Sequence, residues 1–282
     1  MPELPEVEVV RRGLEPHMLG AHITGADVLE PRSLRRHAGG AAHFQDVIAG
    51  RRVQSLERRG KFLWLVLDGD EALMMHLGMS GQLLVRTPGG PAPIRHRRAT
   101  LHLDSGTAID FVDQRIFGGL WISPLAPSPT GPVPEAAAHI ALDPLDPAFD
   151  PDTTARAMKR RTSAVKAVLL NQEVVSGIGN IYADEALWAA RVHYLKPASA
   201  IGLPKLRQLL AESRSVMERS LDEGGTSFDA LYVNVNGNSG YFARSLRAYG
   251  QEGAPCPRCA RPIVRRVWTN RSSFLCPSCQ RR

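Results

Sequence analysis

The sequence predicts an α+β protein of several domains. An N-terminal helix is followed by an antiparallel β-sandwich or barrel, then a helical region, then a cysteine-held hairpin. Three observations carry this. Seven short segments of strand character lie between residues 22 and 112, helical periodicity resumes beyond 153, and all four cysteines fall between 256 and 279. Short strands joined by tight turns favour antiparallel pairing over a parallel sheet. At 282 residues, with 43% hydrophobic and 22% charged residues, the chain can bury a sizeable core, and collagen-like or disordered classes are excluded.

Residues 5–18 read as the first helix: Pro5 suits an opening turn, Val7, Val10 and Leu14 repeat at helical spacing, and Gly20 follows. The strand-like segments are 22–29, 52–58, 61–67, 72–77, 82–86, 98–103 and 107–112. Turn signals such as Asp68-Gly69-Asp70 and Asp104-Ser105-Gly106-Thr107 separate several of them. Residues 124–151 contain eight prolines, which suit neither regular helix nor central strand, so this stretch reads as a linker. Helical patterns follow at 153–170, 180–190 and 204–222, the last stopped by Gly224-Gly225. The expected domains are therefore 1–123, a linker over 124–152, a helical domain over 153–250 and a cysteine element over 251–282.

Lys and Arg total 35 against 28 Asp and Glu, giving a formal charge of +7. The excess is uneven. Residues 155–172 carry Arg156, Lys159, Arg160, Arg161 and Lys166 without an acid, and residues 254–282 carry seven arginines, again without an acid. A merely solvated face usually mixes signs, so these segments read as surfaces for a polyanion, nucleic acid first. The N-terminus, with Glu3, Glu6 and Glu8 and no apolar core, is no signal peptide, and no run approaches the ~18 apolar residues of a membrane helix. A cytoplasmic protein with no membrane partner is expected.

In that compartment the cysteines, spaced C-x2-C-x16-C-x2-C at Cys256, Cys259, Cys276 and Cys279, read as a tetrahedral zinc site more readily than as two disulfides. Four thiolates leave no open position, so the one Zn2+ is structural. Between the knuckles, two strand-like pieces flank Thr269-Asn270-Arg271, a hairpin that presents Arg271 at its tip.

Further motifs run in order along the chain: MPELPEVEVVRRGLEP, RRGKFLWL, HLGMSGQL, DQRIFGG, VVSGIGNIYADEAL, SGYF and the four-cysteine element. Together they resemble the bacterial formamidopyrimidine-DNA glycosylase family, also called 8-oxoguanine DNA glycosylases, over nearly the whole chain. The resemblance implies a helix–two-turn–helix domain within 153–250, a zinc-ribbon hairpin, and a nucleoid-associated base-excision repair enzyme. That enzyme removes oxidised purines from double-stranded DNA and then cuts the strand; the size and charge of the chain suggest a monomer on DNA.

By the same resemblance Pro2, freed of Met1, is the nucleophile. A terminal α-amino group has a reference pKa of about 7.7–8.0, so part of it is neutral near pH 7. Glu3 moves protons, Glu6 orients Pro2 or a water, Lys61 contacts phosphate, and Arg271 grips phosphates flanking the lesion. Without the family, Pro2 and the glutamates would read as an ordinary helix start, and Lys61 as a snorkelling surface residue.

Met79, Arg115 and Phe117 match the residues that fill the void left by an everted base. Considered singly, a Met or Phe on a strand is more often core. His96 and Arg115 match DNA-contact positions of the family, Arg161 and Lys166 lie on the basic stretch ahead of the VVSGIGNIYADEAL segment, and Asn180 opens a helix whose N-terminus suits a phosphate. Where the family often has K-H-D-H, this chain has Arg95-His96-Arg97-Arg98, so the second histidine is lost. Residues 226–240, polar and glycine-rich, would form a lid over the base.

Two alternatives remain at this point. An endonuclease VIII-type enzyme would prefer oxidised pyrimidines, although Leu4 and the Met79/Arg115/Phe117 pattern lean toward purines. A silent DNA-binding paralogue would have a broken nucleophile site, whereas Pro2, Glu3, Glu6, Lys61 and Arg271 are all present.

Overall fold

A computed structural model describes residues 2–89, 95–225, 235–236 and 240–282. The chain divides into two compact units, Met1–His139 with Gly224–Gly240, and Ile140–Glu223 with Tyr241–Arg282. Among the described residues no helix is long and apolar enough to cross a membrane.

The first unit opens with α1 (Leu4–Met18), whose apolar face of Val7, Val10, Leu14 and Met18 is buried as its periodicity predicts. The strands are β1 (His22–Val28), β2 (Arg51–Arg59), β3 (Phe62–Leu67), β4 (Glu71–His76), β5 (Gly81–Arg86), β6 (Arg97–Leu103), β7 (Ala108–Asp113), β8 (Gly119–Ala126) and the short β9 (Val133–Pro134). A helix α2 (Gly40–Ile48) lies between β1 and β2. All pairings are antiparallel, in the order β5-β7-β6-β1-β2-β3-β4-β8-β9. The β1–β2 junction is only two residue pairs long, His22 with Arg52 and Ile23 with Arg51, and it joins a four-stranded half to a five-stranded one. Side chains from both halves, including Ile23, Leu65, Leu73, Leu101 and Phe111, enter one core with α1 and α2. That is the layering of a sandwich.

Residues 124–139 do not behave as a free linker. Val133 and Ala137 pack on Trp64, Met74 and Trp121, covering the outer face of β3, β4 and β8. Prolines suit this edge role because β9 terminates the sheet and has no further strand to receive a donor.

The second unit contains α3 (Pro151–Lys159), α4 (Val165–Leu170), α5 (Asn180–Ala189), α6 (Leu203–Asp222), and the hairpin β10 (Val264–Trp268) with β11 (Arg271–Leu275). The single helix expected over 153–170 is two. After α3 the chain turns to bond the 197–199 segment, with Ser199 N donating to Arg161 O and Ala198 N to Ser163 O, before α4 begins. Helix α5 is buried from Ile181 to Trp188 on every face. Its Glu185 carboxylate accepts the amides of Arg247, Ala248 and Tyr249, which satisfies a charge that burial would otherwise make costly.

Candidate active site and nucleic-acid interface

Pro2 is buried and leads directly into α1. Glu3 is the N-cap and is only 2% exposed. Its backbone N–H donates to Glu6 Oε2 at 2.8 Å while its own carboxylate accepts the Glu6 amide, a reciprocal capping box. The helix-start reading of these residues is therefore correct as structure, and it also fixes two carboxylates beside Pro2 at the positive end of a helix. Gly225, at φ +87°, lies against Glu6, and a side chain there would begin 3.6 Å from Glu6 Oε1. Most of the expected lid falls outside the described residues. Of those described, Val235 is 2% exposed, packs on Gly13 of α1, and accepts the Val85 amide at 3.0 Å.

Lys61 occupies the turn between β2 and β3 and is half-buried. Near it stands His76, whose ring centroid is 5.0 Å from that of Phe62. Burial, and then the cations Arg36, Lys61 and Arg35, push His76 down to about 4. It is neutral at pH 7. Since its Nδ1 accepts the Gly78 amide at 3.2 Å, the proton sits on Nε2.

Met79 lies in the turn between β4 and β5, and Arg115 and Phe117 in the loop between β7 and β8. Met79 is 37% and Phe117 47% exposed, two of the few large apolar side chains left in solvent. The two turns touch through backbone. A Cβ on Gly78, at φ +59°, would stand 2.5 Å from Gly118 N and from the Phe117 carbonyl carbon, so only glycine allows this approach. The Arg115 guanidinium carbon lies 5.0 Å from the Phe117 ring centroid.

Inside the loop, the fully buried Asp113 carboxylate accepts Arg115 N at 3.1 Å, Gly118 N at 2.7 Å and the Ser80 hydroxyl. His96, at φ +67°, accepts the Asp113 amide through its carbonyl at 3.0 Å. Where the family motif has its second histidine, Arg98 donates through Nε to Asp113 O at 2.7 Å, so the substitution supplies a brace under the same loop.

In the second unit Asn180 is the first residue of α5, with Gly179 as N-cap. Its side-chain amide donates to Ser272 O at 3.0 Å rather than capping its own helix. Lys166 departs from the expected surface contact. It is 0% exposed, and its ammonium donates to Asp184 Oδ1 at 2.6 Å, Ser273 Oγ at 2.8 Å and Ser272 O at 3.2 Å. Asp184 Oδ2 accepts the Phe274 amide at 2.9 Å. A lysine so enclosed ties α4 and α5 to β11 and has no surface from which to meet a phosphate.

Arg161 is exposed, and so is Arg271. Arg271 stands at the hairpin tip opposite Trp268, its Nε donating to Asn270 Oδ1 at 3.1 Å. The hairpin expected between the cysteine knuckles is present, with its turn at Thr269-Asn270.

The sulfurs of Cys256, Cys259, Cys276 and Cys279 all lie within 4.8 Å of one another. Burial, and then the neighbouring sulfurs, push the Cys279 thiol up to about 12. Four sulfurs at this separation match the donors and spacing of a tetrahedral soft-metal site, whose cation would offset the repulsion between neighbouring thiolates.

His76, Asp113 and Asp184 were not singled out in the sequence. His76 and Asp113 stand inside the HLGMSG and DQRIFG blocks, so the signal was present. What was missing was the long-range partner, since Asp113 reaches Ser80 and Asp184 reaches Lys166 only through the fold.

The formamidopyrimidine-DNA glycosylase N-terminal domain family matches residues 1–120, and the formamidopyrimidine-DNA glycosylase H2TH domain family matches residues 140–230. The formamidopyrimidine-DNA glycosylase of Rhodococcus jostii (strain RHA1) is 56% identical over 99% of this chain and 96% of its own length. Among solved structures, the MutM (Fpg) protein of Thermus thermophilus superposes with a TM-score of 0.84 at 34% identity, covering 99% of this chain and 98% of that one. A Lactococcus lactis Fpg variant in complex with Fapy-dG-containing DNA gives 0.86 at 28% identity, with 100% of both chains covered. With two family matches that together span most of the chain, and a relative above half identity along its length, the chain belongs to the formamidopyrimidine-DNA glycosylase family of DNA glycosylases with abasic-site lyase activity.

Proposed function

We propose that the protein excises oxidised purines, 8-oxoguanine and formamidopyrimidines, from double-stranded DNA through the amine of Pro2 and then cleaves the strand. The observation that carries this is the placement of Pro2 ahead of a helix whose first turn holds Glu3 and Glu6 in a reciprocal cap. Once Met1 is removed, the amine lone pair attacks C1′ of the damaged nucleotide. The N-glycosidic bond breaks and its electrons leave with the base, which takes up a proton; the sugar ring opens as an iminium forms. Glu3 is near enough in sequence and fold to pass protons to and from the sugar, and Glu6 fixes the Glu3 backbone. The iminium acidifies the adjacent C2′–H, so its loss expels the 3′ phosphate, and a second elimination expels the 5′ phosphate.

Lys61, Arg271, Arg161, His96 and Asn180 are assigned to the DNA backbone, and Met79, Arg115 and Phe117 to the void. The exposure of the two apolar side chains and the backbone packing of their turns support that assignment. A zinc ion held by the four cysteines would tether the hairpin that carries Arg271 and take no part in the chemistry. The size of the chain and its net charge of +7 favour a monomer acting on DNA in the cytoplasm.

The test is a borohydride trap. Protein whose intact mass shows Met1 absent is incubated with a duplex carrying 8-oxoguanine opposite cytosine, and then reduced. A covalent adduct is expected, and it should vanish when the Pro2 amine is blocked. No adduct would overturn the Schiff-base reading, and faster cutting of a thymine glycol duplex would move the preference to pyrimidines.

A further inference from the structure

Phe117 is displayed by a loop whose backbone is held from both sides, and the outer hold comes from a residue with no assigned role. Arg35 follows a single 3-10 turn, Pro31–Leu34, and its side chain lies against residues 116–118. Its Nη1 donates to Ile116 O at 3.2 Å and Gly118 O at 2.9 Å, and its Nη2 donates to Phe117 O at 2.7 Å. The same Nη1 also reaches Arg32 O, in its own turn, at 3.2 Å. Three successive carbonyls thus converge on one guanidinium, while the Arg115 and Gly118 amides turn inward to Asp113. At the centre of this arrangement Ile116 sits at φ +57°. For a β-branched residue that is a strained conformation, one that persists only where its surroundings over-determine it.

We propose that Arg35 is a positioning residue for void filling, holding the 116–118 backbone so that Phe117 and Arg115 enter the DNA stack pre-ordered. The inference rests on the reading that Phe117 and Arg115 fill the space left by the everted base. Preorganisation acts here through entropy. A loop that must insert a ring between bases loses rate if it is first disordered, and a fork of planar donors fixes several carbonyls at once. Lysine keeps the charge, but its single ammonium cannot span three carbonyls in that geometry. If Arg35 served instead as a phosphate contact, charge alone would suffice.

The test uses full-length, metal-loaded protein and the variants Arg35→Lys, Arg35→Met, Phe117→Ala and the double Arg35→Met/Phe117→Ala. Hydrogen exchange of the Arg115 and Gly118 amides in the free protein reads the clamp itself. The fluorescence rise of 2-aminopurine placed beside the lesion reads insertion, and single-turnover excision reads the outcome. Cleavage of a ready-made abasic site in a single strand needs no void filling and serves as the control.

Arg35→Lys and Arg35→Met are both expected to speed exchange and to slow insertion and excision about tenfold. Duplex affinity should hold within about twofold and single-strand cleavage should not change. In the Phe117→Ala background, Arg35→Met should add little. Wild-type behaviour of Arg35→Lys, unchanged exchange, an undiminished penalty in the double variant, or an equal loss of single-strand cleavage would each overturn the proposal. If Phe117→Ala alone leaves insertion and excision intact while Arg35→Met speeds exchange, the void-filling reading has failed and the clamp has not.

Discussion

Glu8 shows how much of helix α1 depends on charge placement away from its tip. Its carboxylate accepts from Arg11 at 3.0 Å, Arg12 at 2.8 Å and Arg58 at 3.1 Å. Burial alone would raise its pKa, but the Arg11 hydrogen bond, the Arg58 charge and the Arg12 hydrogen bond overcome it and hold it at about 2, against 4.5 for a free glutamate. Because the folded value is depressed, the stabilisation is fully present above pH 4.5 and is lost as pH falls toward 2. Glu8→Gln should therefore lower stability at pH 7 by up to about 3 kcal/mol, and the gap to wild type should close between pH 4.5 and 2 in denaturant titrations. A gap that stays constant with pH would mean that the loss comes from packing. The Arg11 and Arg12 partners were legible as i+3 and i+4 neighbours on a helix, whereas Arg58, 50 residues away, was not. The same divide separates Glu3 and Glu6, whose capping box is written locally, from Lys166. Its basic neighbourhood suggested a surface charge because the Asp184 that buries it is visible only in the fold.

At the scale of elements, the seven strands between residues 22 and 112 and helices α1, α5 and α6 were legible from periodicity and turn residues. Helix α2 and strands β8 and β9 were not. Helix α2 starts at Gly39-Gly40, both at positive φ, without a capping side chain, so only its Phe44/Ile48 spacing announced it. Strand β8 runs into Pro124, and the proline count hid both its end and the packing of residues 133–137 on Trp121. The Lys166–Asp184 pair is likewise a property of elements, since it joins α4 and α5 to the hairpin. Burial pushes Asp184 up to about 7 even with the ammonium beside it, so removing the lysine leaves a buried carboxyl with only the Phe274 amide to offset its desolvation. Lys166→Met should cost about 3 kcal/mol, and adding Asp184→Leu should restore part of it. Thermal unfolding of both variants checks this, and additive losses in the double variant would show that the two residues do not act as a pair.

The charge of the whole molecule, +7 and concentrated in two acid-free segments, predicts the binding behaviour that separates surface cations from structural ones. Each phosphate neutralised lowers the slope of log K against log salt by about 0.9 on duplex DNA. Counting basic residues in the sequence would assign Arg161, Lys166 and Arg271 equally to that slope. The fold divides them, because Arg161 and Arg271 are exposed while Lys166 is enclosed by Asp184, Ser272 and Ser273. Arg35 is exposed as well, yet its donors already face the carbonyls of residues 116–118. Salt titrations of duplex binding should therefore show the slope shallower by about 1 for Arg161→Ala and for Arg271→Ala, and unchanged for Lys166→Met and Arg35→Met. A shallower slope for Lys166→Met would mean that DNA binding opens the α4–β11 contact and releases its ammonium. A shallower slope for Arg35→Met would reassign that arginine from the loop to the DNA backbone. Because the slope counts ions rather than contacts, a variant that only weakens the fold shifts the curve without changing its gradient, and the two kinds of loss are told apart in one experiment.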